Sequence, residues 1–309
     1  GQMWFNSTTR KLNFTMDVNS WSAAGNMILA RHYHAGAGTQ NAAIAAGGLT
    51  PSVTAETELY DGSAWSVAGS EAHDLDKARL QFAMTGNQNS ALAFGGRTNS
   101  PTPGLAHNET ETFNGSAWTE VNNLNTSRHD HAGFGTQNAA VASAGKTPSG
   151  LLNDTEEWNG TNWTAAADNN TTRNSHTGAG NQNSGIIFGG NTNPAMSKLT
   201  ETYDGTSWTE VNDMNIARNY FGGAGTQNAG VAFGGDTGDS PFSYACTEEW
   251  NGTSWSVANV LPIGVRNIPG GGAGSQASAI AFGGFDSEVA NQSYEYSVSH
   301  LKTVEIDGV

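Results

Sequence analysis

The sequence predicts an all-β fold, a six-bladed propeller of four-stranded antiparallel blades closed into a ring. The first sign is a string that returns six times: an Arg, then seven or eight residues on a Gly followed by a polar residue and Gln, then a small pair that is usually Gly-Gly. Its arginines are Arg31, Arg79, Arg128, Arg173, Arg218 and Arg266, and its glutamines are Gln40, Gln88, Gln137, Gln182, Gln227 and Gln276. The second sign is the spacing of 45 to 49 residues, the period of a propeller blade. The third is a hairpin motif in five repeats, read as TELYDGSAW, TETFNGSAW, TEEWNGTNW, TETYDGTSW and TEEWNGTSW, ending at Trp65, Trp118, Trp163, Trp208 and Trp255.

Each repeat reads as four strands, A to D. Strand A is rich in Gly and Ala (HAGAG, HAGFG, HTGAG, FGGAG), as the crowded axis of a propeller requires, and strand B ends in the Gly pair. Strands C and D form the hairpin. Asp-Gly and Asn-Gly favour two-residue type I′ turns, so Tyr60 is expected to face Ser63, and Glu58 to face Trp65. Alternation then puts Glu58, Tyr60 and Trp65 on one face.

The sixth repeat, from Arg266, offers strands A and B and a strand C around Tyr294 and Tyr296, but no following Trp. Trp21 lies ten residues before Arg31, the interval that separates Trp118 from Arg128. Ser20 to Ala23 is therefore expected to supply strand D of the last blade and to remove the open sheet edges. The expected organisation is a lead-in segment over 1–19, a propeller over 20–298 and a C-terminal tail over 299–309. Gly1 reads as a processed end or the start of a segment.

Charged residues are only 13% of the 309 and Gly numbers 40, a composition of tight turns and polar loops. A net charge of −15 argues against nucleic acid, which needs a basic face. The single Cys246 excludes an internal disulfide or a Cys-cluster metal site. No run of 18 apolar residues occurs, so no membrane insertion is expected.

Arg, Gly-Gly, an aromatic and Trp in each unit resemble the kelch repeat over residues 21 to 298, with a shorter interval from aromatic to Trp. The Gly-[Thr/Asn/Ser]-Gln turn and the [Asp/Asn]-Gly-[Ser/Thr]-x-Trp hairpin are similar to the kelch-like propellers of tailed-phage virion proteins. GQMWFNSTTRKLNF is similar to the segment that introduces distal domains of phage tail fibres. This resemblance implies a place on the virion surface, outside the cell. TYDGTSWT is also close to the sialidase Asp-box, one residue short. A sialidase-like glycan hydrolase is thus an alternative, but arginines recurring once per blade behave as structural positions.

The candidate side chains divide into repeated and unrepeated. Glu58, Glu111, Glu156, Glu201 and Glu248 recur in step with the arginines, at the same end of the blade, so ion pairs within the ring are expected; the other reading is a guanidinium ring gripping an anionic glycan. The repeated Gln is expected to cap turn backbone. His32 with His34, and His129 with His131, have the i, i+2 spacing of one strand face, and His32 and His129 are expected at the channel mouth. No third metal ligand accompanies them. Asp236 to Ser240 (DTGDS) reads as a solvated turn before a calcium loop. A copper-radical oxidase lacks support from Cys246, and no catalytic set or cofactor is expected.

The longest B-to-C loops are RTNSPTPGLAHNE, with Arg97 and His107, and DTGDSPFSYAC, with Phe242 and Tyr244. Variable loops on a rigid scaffold are the usual place for recognition. The sequence therefore reads as a non-enzymatic recognition module of a phage tail fibre, binding a host surface glycan or outer-membrane protein, compatible with homo-oligomers in a fibre. The alternative is a structural decoration or connector touching other virion proteins.

Overall fold

The computed structural model describes residues 3–6, 8, 11–67, 73–98, 106–239, 243–268 and 272–306. Six antiparallel sheets stand around one axis, five of four strands and one of five. In blade 1 the strands run Ala35–Thr39, Ala42–Ala46, Thr57–Tyr60 and Trp65–Val67. Blades 2 to 5 repeat this order. The A strands converge on a narrow channel of about 120 Å³ lined by residues such as Gly36, Ala37, Gly178 and Ala224, where larger side chains would close the ring's centre.

Blade 6 unites the two ends of the chain. Gly272–Ser275, Ser278–Phe282 and Ser293–Ile306 form its first three strands, Lys11–Ala23 is the fourth and Met3–Asn6 a fifth. Trp21 pairs with Tyr296 in that register. The boundaries expected at residues 20 and 298 both fall inside strands, because the two partners continue pairing as far as Leu12 with Ile306.

Blade-to-blade packing uses the repeated Gln and Trp. Each Gln Nε2 donates to two backbone carbonyls of the preceding blade: Gln88 to Ala43 and Tyr60, Gln227 to Gly185 and Tyr203, and Gln40 to Ala279 and Tyr296 across the closure. This is a clamp between blades and not the local turn cap expected. Each strand-D Trp likewise donates its indole N–H to a hydroxyl at the start of the neighbour's strand C, as in Trp118 to Thr57, Trp163 to Thr110, Trp208 to Thr155 and Trp255 to Thr200. Trp65 uses Ser293 and Trp21 uses Thr247, at 2.9 Å each, so the closing strand makes the same joint as the others.

Within five blades the Arg and Glu pair. Arg31–Glu58, Arg79–Glu111, Arg128–Glu156, Arg173–Glu201 and Arg218–Glu248 are all ion pairs with side chains 3% exposed or less. The Arg Nη1 also donates to the first carbonyl of the Gly pair and to a carbonyl at the approach to strand C, for Arg31 those of Gly47 and Glu56. The second Glu oxygen accepts from the linker ahead of the Arg, as Glu58 does from Ile28 N at 2.7 Å. The carboxylate thus ties strand C to the incoming chain. Buried this fully, the ring of guanidiniums cannot grip a glycan.

Arg266 is not the sixth member of that ring. The second Gly N–H of each blade donates to the next Arg carbonyl, in Gly48 to Arg79, Gly96 to Arg128, Gly145 to Arg173, Gly190 to Arg218 and Gly284 to Arg31, but Gly235 donates to Val265. Val265 therefore fills the Arg position. Register completes the exchange: Ala45 opposes Glu58 in blade 1, whereas the corresponding Ala281 opposes Tyr294 in blade 6. Both members are replaced together, and Val265 and Tyr294 join one apolar cluster. The sequence carried a sign of this, since the Arg-to-Gln interval is nine residues in five repeats and ten in the sixth.

The hairpins also differ from expectation. Tyr60 pairs with Trp65 and Glu58 with Val67, leaving a four-residue loop from Asp61 to Ala64. Asp61 Oδ1 accepts from Ser63 N and Ala64 N at 2.8 Å, so a carboxylate-capped turn replaces type I′ and only Gly62 needs positive φ, at 92°. Glu58, Tyr60 and Trp65 still share a face, because the longer loop preserves parity. Tyr60 and Trp65 rings lie 5.2 Å apart.

Two outcomes follow for stability. Removing one partner of a buried pair leaves a stranded charge, so Arg173→Val or Glu201→Tyr alone is expected to cost about 3–5 kcal/mol. The double variant, copying blade 6, is expected to recover most of that loss in urea melts; a double variant as unstable as the summed singles would refute the equivalence. In the hairpin, Gly205 has φ of 91° and an added Cβ would lie 2.9 Å from Asn183 Oδ1. Gly205→Val should cost roughly 1–3 kcal/mol, measured by thermal melting.

Candidate functional site

The residue two places after each ring Arg, or after Val265, turns the chain from the linker into strand A. These six residues are Tyr33, Gln81, Asp130, Ser175, Tyr220 and Asn267, all with φ between 51° and 58°. Such a conformation is costly for a bulky side chain. It is held by a circle of backbone bonds: Tyr33 N donates to Asn267 O, Gln81 to Tyr33, Asp130 to Gln81, Ser175 to Asp130, Tyr220 to Ser175, and Ile268 N to Tyr220. The circle forms a collar around the axial mouth.

The same left-handed residue explains why the His pairs do not share a face. Asp130 lies between His129 and His131 and breaks strand alternation, as Tyr33 does between His32 and His34. His129 stays at the mouth, its Nδ1 donating to Asp130 Oδ2 at 2.9 Å, and His32 stacks on Tyr33 with ring centroids 4.7 Å apart. His34 and His131 turn inward under the preceding blade's Gly pair, where a Cβ on Gly283 or Gly95 would come within 2.6 Å of the imidazole. His176 occupies the equivalent place in blade 4, and Phe82, Phe221 and Ile268 occupy it in blades 2, 5 and 6. Among the described residues no group of three or more metal-ligating side chains converges.

Around the collar the side chains differ from blade to blade. Tyr33 and Tyr220 meet edge to face with centroids 5.4 Å apart. Burial, then the Asp130 charge, pushes the Tyr33 phenol up to about 12; for Tyr220 the Asp130 charge comes first and burial second, again upward. Both phenols stay protonated. Burial and the nearby Arg266 lower the His32 imidazole to about 4, so it is neutral at neutral pH. Arg266 stands over Phe285, 5.5 Å from its centroid, and donates to Asp236 Oδ2 at 2.8 Å.

A pit of about 440 Å³ opens beside this collar, lined by Gln81, Arg97, His129, Asp130, Lys146, Thr147, Pro148 and Tyr220. Its wall has an identifiable origin. In blade 3 strands B and C extend to Ala139–Thr147 and Gly150–Trp158, past a register shift between Ser143 and Gly145. The lengthened hairpin carries Lys146, Thr147 and Pro148 to the mouth. Arg97, from the blade 2 loop, reaches in with its Nε donating to Gln81 Oε1. Asp130 is 4% exposed, and its Oδ1 has no hydrogen-bond partner among the described residues.

The other expected ligand residues lie elsewhere. His107 is 9% exposed and its ring nitrogens engage Glu109 Oε2 and Thr98 Oγ1, so it braces its own loop. Tyr244 is half-buried and its N–H donates to Gly235 O. Phe242 lies outside the described residues, as does Ser240 of the DTGDS loop. Asp236 in that loop spends Oδ1 on Gly238 N and Oδ2 on Arg266. Sequence reading placed Arg97, His32 and His129 at the mouth face but missed Asp130, Tyr33, Tyr220 and Lys146. The signal for the first three is positional, the residue two after each Arg, and it is hidden because no residue type repeats there.

This arrangement defines a six-bladed β-propeller with a polar, aromatic-edged pit at one axial mouth. Among solved structures the chain is similar to YjhT, with a TM-score of 0.73 over 92% of this chain and 99% of that one, at 12% identity. That likeness is one of fold. No protein-family model and no curated protein matches the sequence.

The inward histidines give a test of the scaffold. Burial, with a neighbouring ring Arg, lowers His34 to about 3 and His131 and His176 well below their ordinary value. The unfolded chain protonates them near 6.5 while the folded chain keeps them neutral, so their linkage removes stability as pH falls below about 6.5. Changing all three to Phe, as blades 2 and 5 already have, is expected to flatten the fall in melting temperature between pH 7 and pH 5. An unchanged acid limb would show that these side chains are not what limits acid stability.

Proposed function

We propose that this propeller is a non-enzymatic recognition module of a virion appendage of the tail-fibre kind, displayed outside the cell, whose mouth face binds a host surface glycan or outer-membrane protein. The observation that carries the reading is how residues are divided between scaffold and mouth. Arg, Glu, Gln and Trp, which repeat, are consumed in holding the blades. Side chains that change from blade to blade collect at one end, where Tyr33, Tyr220, His32, Arg97 and Asp130 offer aromatic faces, donors and acceptors. Aromatic and Arg side chains suit both sugar stacking and protein contact. The virion setting is supported by the likeness of the first residues to tail-fibre lead-in segments.

Arg97 and Lys146 belong to the mouth and not to the buried ring pairs, so Arg97→Ala with Lys146→Ala should leave the melting temperature within about 2 °C of the parent. Host-cell adsorption of the purified protein, and its competition with virions, is expected to fall about tenfold or more. Unchanged adsorption together with failed incorporation into virions would instead favour a structural connector.

A further inference from the structure

We propose that the pit beside Asp130 is a subsite for one neutral sugar residue, gripped through a pair of adjacent hydroxyls. This rests on the recognition reading and narrows it to a ligand class. Asp130 is the central group. His129 holds its Oδ2 at 2.9 Å, which fixes the carboxylate, while Oδ1 is buried without a partner among the described residues and Asp130 lines the pit. A buried acceptor left in this state costs free energy until a donor reaches it. A fixed carboxylate accepts two neighbouring O–H groups well, one on each oxygen edge, and a sugar diol supplies that spacing.

Charge decides among ligand classes. Arg97 and Lys146 line the same space and oppose an ammonium ligand. The Asp130 carboxylate opposes an anion seated on it. A neutral polyol meets neither penalty and can use every group: Asp130 accepts, Lys146 donates, the Gln81 amide offers both, and Tyr220 adds ring surface and a protonated phenol. The volume of about 440 Å³ sits toward the small end of ligand pockets, room for a saccharide of about one or two rings. Arg97, at the start of the long blade 2 loop, lines the pit, while the His107 ring at the far end of that loop is engaged by Glu109 and Thr98.

The test is isothermal titration and saturation-transfer NMR with the methyl glycosides of glucose, galactose and mannose, with glucuronic acid and glucosamine as charged probes. At least one neutral glycoside is expected to bind, and Asp130→Asn should weaken it roughly tenfold or more, as loss of a hydrogen bond to a charged group does. Because Asp130 sits in the collar, the ligand is varied as well: on the unaltered protein, deoxy analogues lacking either hydroxyl of the diol should lose the binding. The proposal is overturned if no neutral glycoside binds, if only a charged probe binds, or if Asp130→Asn and the deoxy analogues bind like the parents. Glycoside binding without host adsorption would sink the virion reading and leave the subsite; adsorption that depends on Arg97 and Lys146 without glycoside binding would do the reverse.

Discussion

A guanidinium and a carboxylate that are both sealed from water must find each other, and in this chain that requirement fixes where two strands and a linker meet. Arg128, for example, donates to Ala144 O, Asp154 O and Glu156 Oε1, while Glu156 accepts from the backbone of Asn125 and Thr126. Strand B's end, strand C's start and the chain arriving from the previous blade are thereby locked to one point. Shift any of them and a charge is stranded. Such pairs specify geometry more than they add stability, and blade 6 makes the point from within the molecule. There Val265 and Tyr294 fill the same two places with apolar side chains, and the blade keeps its register.

The Gln and Trp contacts act on the scale above, between blades. Since each Gln reaches two carbonyls on its neighbour and each Trp a hydroxyl, every interface is satisfied by side chains that cannot also serve a ligand. The mouth is built from what remains. Its collar residues are set by backbone conformation, not by side-chain identity, so Tyr, Gln, Asp, Ser and Asn all occupy one conformational slot. Diversity there costs the scaffold little, because the circle of bonds runs through main-chain N–H and C=O groups.

The six blades, the closing strand at Trp21 and the five ion pairs were legible because they repeat, and repetition reveals what packing demands. The hairpin loop was misjudged because Asp-Gly opens both a two-residue turn and the four-residue loop capped by Asp61, and sequence parity cannot separate them. Arg266 was misassigned because an Arg one residue along mimics the repeat. His34 and His131 misled for a conformational reason, a single left-handed residue that reverses which way the next side chain turns. The pit was hidden for another reason: Asp130 and Tyr220 hold the same collar position in blades 3 and 5 without sharing a residue type, Lys146 comes from the extended hairpin of blade 3, and only the ring brings them together.

Closure between Lys11–Ala23 and Ser293–Ile306 has a consequence for how the chain can acquire its structure. The two strands are separated by nearly the whole sequence, so their contact carries a high loop-closure cost and belongs among the slow events of folding. During synthesis, residues 11–23 emerge long before their partner. Blades 1 to 5 can form from local pairings while the early strand waits for Ser293–Ile306, with its Trp21 end available to other copies on the same messenger. The ring's last joint is thus its point of greatest exposure to misassembly, and Trp21 meeting Thr247 and Tyr296 is the event that ends it.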